Sequence, residues 1–324
     1  HFDAQDFMEY AAPGYRTVRD GWLNRYLQAT KNPRIKEPNT EFIRSLAMQE
    51  RLPRSLRGKY PVVAVPPNLR EMDEVLDVFE DFYSDGDPEK IKFTIEGLKK
   101  KNQGPGKSKK NKPTGPVAVD PILASGKFTI QYLRRLRQLL YGEQKPTYGS
   151  SRDIAIGGEG TFQEYPGGWF ASRLQALARI IKADVGLQVA ATDINGWDHH
   201  IGLGSLDGTL NRMLSFWAEG IAAFMEDLGP ILNRTLILVS TEFGRVCAEN
   251  GNDGSDHGHG GLTWLMGGKV KGGKVYGEWT GLEPSELNQS RDLKVTTDFR
   301  DIYAEVLRKH LNHEPDAVSY THLR

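Results

Sequence analysis

A single cysteine, Cys247, leaves no partner for an internal disulfide and no thiolate set for a zinc cluster. It does not fix the compartment, because exported bacterial proteins also use few cysteines. Net charge is missing as well. Lysine and arginine total 42 and aspartate and glutamate 42, so the overall balance points neither to nucleic acid nor to an anionic membrane surface. No apolar run approaches the ~20 residues of a spanning helix, and no segment reads as a signal peptide. What remains is an ordinary globular composition. A hydrophobic fraction of 38% with 10% aromatics suffices for a core and argues against wholesale disorder. The length allows roughly one to three domains, with one large α/β unit in range. The chain opens at His1 inside what reads as an ordered segment, so a fragment is expected.

The most informative stretch runs from Arg234 to Trp264. Leu236, Ile237, Leu238 and Val239 form an apolar run short enough for a buried strand. It breaks into Thr241-Glu242-Phe243-Gly244-Arg245, then into a glycine-rich loop with Asp256, His257 and His259, then into a second apolar run from Leu262 to Met266. A second cluster, Asp193-Ile194-Asn195-Gly196-Trp197-Asp198-His199-His200, follows another apolar run, Leu187 to Ala191. Four of the eight histidines lie in these two places. Acids and imidazoles just past the carboxyl ends of strands are what an open α/β sheet offers a ligand. The two clusters are expected to be halves of one site.

Helical periodicity predicts elements around Trp22–Leu27, Leu69–Tyr83, Asp120–Leu140, Trp169–Ile181, Leu206–Leu228 and Val295–Leu311. A short capped helix is expected over Thr40–Leu46, and a strand over Tyr60–Val65. From Lys99 to Pro116 the composition turns to lysine, glycine, proline and asparagine, predicting a disordered basic surface insertion. Its Gly104-Pro105-Gly106-Lys107-Ser108 imitates part of a phosphate-binding loop, but Lys101 stands where the first glycine belongs. There is no internal repeat. Helix alternating with strand is the rhythm of a mostly parallel sheet flanked by helices.

The chemistry is read from residue types. Asp198 and His200, two apart, would point the same way on an extended chain, so a carboxylate and an imidazole can meet one cation. Asp193 and His199 lie beside them as further candidates, and Asp256, His257 and His259 offer a second acid-imidazole set. Glycine lets that loop approach closely. Glu242 is placed for a metal ligand or general base, and Arg245 for clamping a phosphate or sulfate oxygen. The bland alternatives are a polar loop, a helix cap at Asp198 and a Glu242–Arg245 ion pair. A serine-esterase elbow is missing around Ser255.

Ser240-Thr241-Glu242-Phe243-Gly244-Arg245, then NGNDGSDHGHG and GGKVKGGKVYGEWTGL, preceded by GWDHH and followed by TTDFRDIYAEVL, resemble the domain-of-unknown-function family 1501. That family is similar to the alkaline phosphatase and sulfatase superfamily. The resemblance implies an alkaline phosphatase-like sandwich over residues 1–317, with its first strand and nucleophile upstream of His1. It also implies export to the periplasm or beyond, and one or two divalent ions (zinc, calcium, magnesium or manganese). The implied partner is a small anionic ester, such as a sulfated polysaccharide. Asp256-His257-Gly258-His259 resembles the aspartate-histidine metal motif, Glu242 an acidic ligand, and Asp198 with His200 the family's Trp-Asp-Thr-His, with His199 replacing threonine. Residues 318–324 read as a junction artefact. The function expected is a metal-dependent hydrolase of phosphate or sulfate esters, the alternative a non-catalytic binding or surface-assembly protein with a structural metal.

Overall fold

The computed structural model describes residues 2–15, 17–32, 42–84, 121–142 and 164–317; the 99–116 insertion and the 318–324 tail lie outside them. Seven α-helices are described: α1 (Phe2–Tyr10), α2 (Trp22–Ala29), α3 (Asp73–Ser84), α4 (Pro121–Tyr141), α5 (Trp169–Lys182), α6 (Thr209–Leu228) and α7 (Phe299–Glu305). The strands are β1 (Ser45–Ala47), β2 (Val63–Ala64), β3 (Val189–Ala191), β4 (Leu236–Val239), β5 (Gly244–Arg245), β6 (His257–Gly258) and β7 (Trp264–Gly267).

The architecture is mixed α/β. A small parallel sheet runs in the order β2-β1-β3, with Leu46 opposite both Val63 and Ala190. All three residues of β1 are buried, as a middle strand covered on both faces must be. Its side chains alternate faces: Leu46 enters one apolar cluster and Ala47 the other. The first cluster fills the space toward α4, α5 and α6 with Phe128, Leu136, Phe170, Leu174 and Phe224. The second gathers Trp22, Tyr26, Leu27, Val189, Tyr303 and Leu307 on the other side. Parallel pairing of the expected kind is therefore found among β1, β2 and β3. It fails for β4, which pairs antiparallel with β7, Ile237 opposite Met266. β5 and β6 form a second antiparallel pair.

Of the helix expected over Thr40–Leu46, Thr40 and Glu41 lie outside the described residues, 42–44 are not helical and Ser45 begins a strand. Its backbone groups go to neighbouring segments instead of one turn back: the Ile43 N–H donates to the Val185 carbonyl at 2.9 Å, and the Ala47 carbonyl accepts the Val65 N–H at 2.8 Å. The Ser45 carbonyl also accepts the Tyr132 hydroxyl from α4, whose burial raises its pKa well above the ordinary phenol value.

Two features tie the helices to the strand ends. Gly220 of α6 sits under Phe170 of α5, where a Cβ would come 3.1 Å from the ring, so the two helices cross at close range. The last helix starts at Phe299, later than the expected Val295, because Asp298 caps it by accepting the Arg300 N–H at 2.9 Å. Tyr303 of α7 stacks on Trp22 with ring centroids 4.5 Å apart. Burial pushes its hydroxyl up to about 12, while a hydrogen bond with Ser240 at the end of β4 acts the other way.

Candidate metal centre

β3 and β4 each end in a polar loop, and a third loop, between β5 and β6, folds back over both. Main-chain contact brings them together. The Ser255 N–H donates to the His199 carbonyl at 3.0 Å, and the Gly202 N–H to the Asn252 carbonyl at 3.0 Å. Gly254 lies so close to His200 that a Cβ there would overlap its carbonyl, and a Cβ on Gly244 would overlap the Gly260 carbonyl. The glycines flanking the acid-imidazole motif are thus needed for backbone to lie on backbone.

Three donor atoms converge as a result. His200 Nε2 and His257 Nε2 are 3.0 Å apart, His257 Nε2 is 2.8 Å from Asp198 Oδ1, and His200 Nε2 is 3.2 Å from the same oxygen. Among the described residues, Asp198, His200 and His257 are the group able to hold a metal ion. The triangle has the right size. Ligands at about 2.1 Å from an ion in an octahedral face stand about 3 Å from one another.

The surrounding residues fix the orientation of these donors. Asp256 Oδ1 lies 2.9 Å from His200 Nδ1 and accepts the Asn250 side-chain amide at 3.1 Å. Hydrogen bonds from His200 and Asn250 hold the Asp256 carboxyl below its usual value, so it is ionised and can only accept. An acceptor at Nδ1 selects the neutral tautomer with its proton there and turns Nε2 toward the triangle. Phe243 stacks on the His257 ring at 4.1 Å and limits its rotation. For Asp198, partial withdrawal from water acts to raise the pKa, but hydrogen bonds from His257 and Arg245 outweigh it and the carboxyl sits below its ordinary value.

The expected site residues divide accordingly. Asp198, His200 and His257 meet, and Asp256 stands one bond behind, against His200. Asp193 is taken away by Arg173 of α5, at 3.1 Å. His199 turns its Nδ1 to the Trp197 carbonyl, 3.0 Å away. Glu242 and His259 are exposed and outside the three-residue group. Arg245 is already committed: it donates to the Ser255 carbonyl at 2.6 Å, to the Trp197 carbonyl at 3.1 Å, and to Asp198 Oδ1. It braces the site instead of reaching outward. Asn250 was missed by the residue-type reading. Its carbonyl oxygen accepts the N–H groups of Asn252 and Gly254, at 2.9 and 3.1 Å, while its amide reaches the His200 carbonyl at 3.0 Å. The Asn-Gly-Asn-Asp-Gly spelling of this turn was the available signal.

Fold and site together define a mixed α/β protein with an imidazole-carboxylate centre at the carboxyl ends of its strands. The chain belongs to the family described as Protein of unknown function (DUF1501), whose profile matches residues 139–319 and so spans both halves of the centre. Neither the curated proteins nor the solved structures hold a significant match to it. Among the described residues, no helix is long and apolar enough to cross a membrane.

Proposed function

We propose that the protein is a metal-dependent hydrolase of phosphate or sulfate esters, exported to the periplasm or beyond, on an alkaline phosphatase-like sandwich. The observation that carries the metal reading is the triangle of His200 Nε2, His257 Nε2 and Asp198 Oδ1, with edges between 2.8 and 3.2 Å. Two imidazoles and one carboxylate suit zinc, manganese or iron better than calcium or magnesium, which prefer all-oxygen ligands. Three protein ligands leave coordination positions open, as catalytic sites require. A bound divalent ion supplies Lewis acidity toward an ester oxygen. The residues do the rest: Asp198, His200 and His257 hold the ion, Asp256 sets the His200 tautomer, and Arg245 fixes Asp198. Exposed Glu242 is the candidate general base. The step from centre to ester hydrolysis rests on the superfamily resemblance.

A second reading, a non-catalytic binding or surface-assembly protein, is favoured by one observation. Arg245, the cation expected to clamp an anionic ester, is spent on Asp198 and two carbonyls. The test is elemental analysis of the purified full-length protein, with turnover of p-nitrophenyl phosphate and p-nitrophenyl sulfate after metal loading. A hydrolase shows stoichiometric metal and turnover, both lost in His257→Ala and Asp198→Ala. Stoichiometric metal without turnover selects the second reading, and protein that takes up no metal removes both.

A further inference from the structure

The zero net charge conceals a local asymmetry. The segment 269–282, KVKGGKVYGEWTGL, holds Lys269, Lys271 and Lys274 against a single acid, Glu278. It also carries large, mostly exposed side chains: Val275 is 98% exposed, Trp279 70%, Tyr276 65% and Leu282 58%. Local bonds hold the segment in this form. The Val270 N–H donates to the Gly267 carbonyl at 3.2 Å, the Tyr276 hydroxyl to the Lys271 carbonyl at 2.8 Å, and the Glu283 N–H to the Glu286 carboxylate at 2.8 Å. Lys274 lies over the Tyr276 ring, 4.8 Å from its centroid. The loop thus exposes aliphatic, aromatic and cationic side chains within one short stretch of chain, a composition that marks interaction surfaces.

We propose that the 269–282 loop docks the protein onto an anionic lipid surface. Each component matches a layer of that surface. Val275 and Leu282 need an apolar medium, Trp279 and Tyr276 suit the headgroup boundary, and the lysines meet anionic headgroups. A soluble polyanion would use the lysines and leave Val275 and Leu282 in water. A second copy docking through the same loop about a two-fold axis would set like lysines against each other.

The experiment is co-sedimentation of the full chain with vesicles of phosphatidylcholine alone and of phosphatidylcholine mixed with phosphatidylglycerol, at low and high salt. Binding to the mixed vesicles only, weakened by salt, is expected. Lys271→Ser and Lys274→Ser should each weaken it about fivefold, and Trp279→Ser about tenfold or more, with melting temperatures unchanged because all three side chains are exposed. Failure to sediment with the mixed vesicles would overturn the proposal. So would binding unaffected by Trp279→Ser, or wild-type and Trp279→Ser chains binding dextran sulfate as tightly as vesicles, which would assign the loop to a soluble polyanion.

Discussion

Replacing Asp256 by alanine separates holding an ion from orienting the residues that hold it. The carboxylate lies outside the triangle but 2.9 Å from Nδ1 of His200, so its removal leaves all three donor atoms in place. What is lost is the bias on the imidazole. Without an ionised acceptor at Nδ1, the ring samples the tautomer with Nε2 protonated, which cannot bind a cation, and it rotates more freely. Losses of this kind typically cost about 10- to 100-fold in metal affinity. Asp256→Asn should fall in the same range, because the amide accepts a hydrogen bond but carries no charge. His257→Ala removes a donor and should abolish stoichiometric binding. Competition titration against a chromophoric zinc chelator measures all three. Asp256→Ala affinity within twofold of wild type would refute the orienting role, and abolition matching His257→Ala would make Asp256 a direct ligand.

Gly254→Ala should place a methyl group against the His200 carbonyl, costing about 1–3 kcal/mol of stability together with metal affinity; thermal melts with and without metal check it. Asp298→Ala removes the cap of α7 and should cost about 1 kcal/mol by denaturant titration. Hydrogen bonding from Arg300 lowers the Asp298 pKa, so the part of its stabilisation that depends on charge is present above the ordinary carboxylate value, roughly 3.9, and is lost as pH falls through the depressed value. Asp298→Asn should flatten that acid limb. Leu136→Ala hollows a fully buried position on α4 and should cost about 2–5 kcal/mol, an outcome that leaves metal affinity unchanged.

The long helices were legible because their apolar residues repeat over several turns: α5 begins at the expected Trp169, and α6 carries the expected stripe through Ile221, Phe224 and Leu228. The strand β4 was legible from four consecutive branched apolar residues, but its partner was not. An apolar run records burial without recording direction, and the antiparallel match to β7 depends on the intervening chain, which itself forms the β5–β6 pair. β1 was misread because three residues carry no period, and its pairing with β2 and β3, both distant in the chain, decides its conformation. At the centre, clustering of residue types pointed to Asp198, His200 and His257. It could not separate Asp193 from Asp198, since that choice is made by Arg173, twenty residues earlier on α5. Nor could it show that Arg245 would turn inward, because the acceptors it meets are main-chain carbonyls, which residue identity does not reveal.

The contact of glycine against main chain at Gly244 and Gly254 has a consequence for how this centre can change. Loops held apart by side chains can drift as those side chains are exchanged. Here the spacing is set by peptide groups that every sequence shares, so in the proposed metal centre substitutions at positions 198, 200 and 257 would alter what is gripped without altering where the grip closes. On that proposal, selectivity for one ion over another would be retuned by changing donors alone, whereas the glycines admit almost no variation.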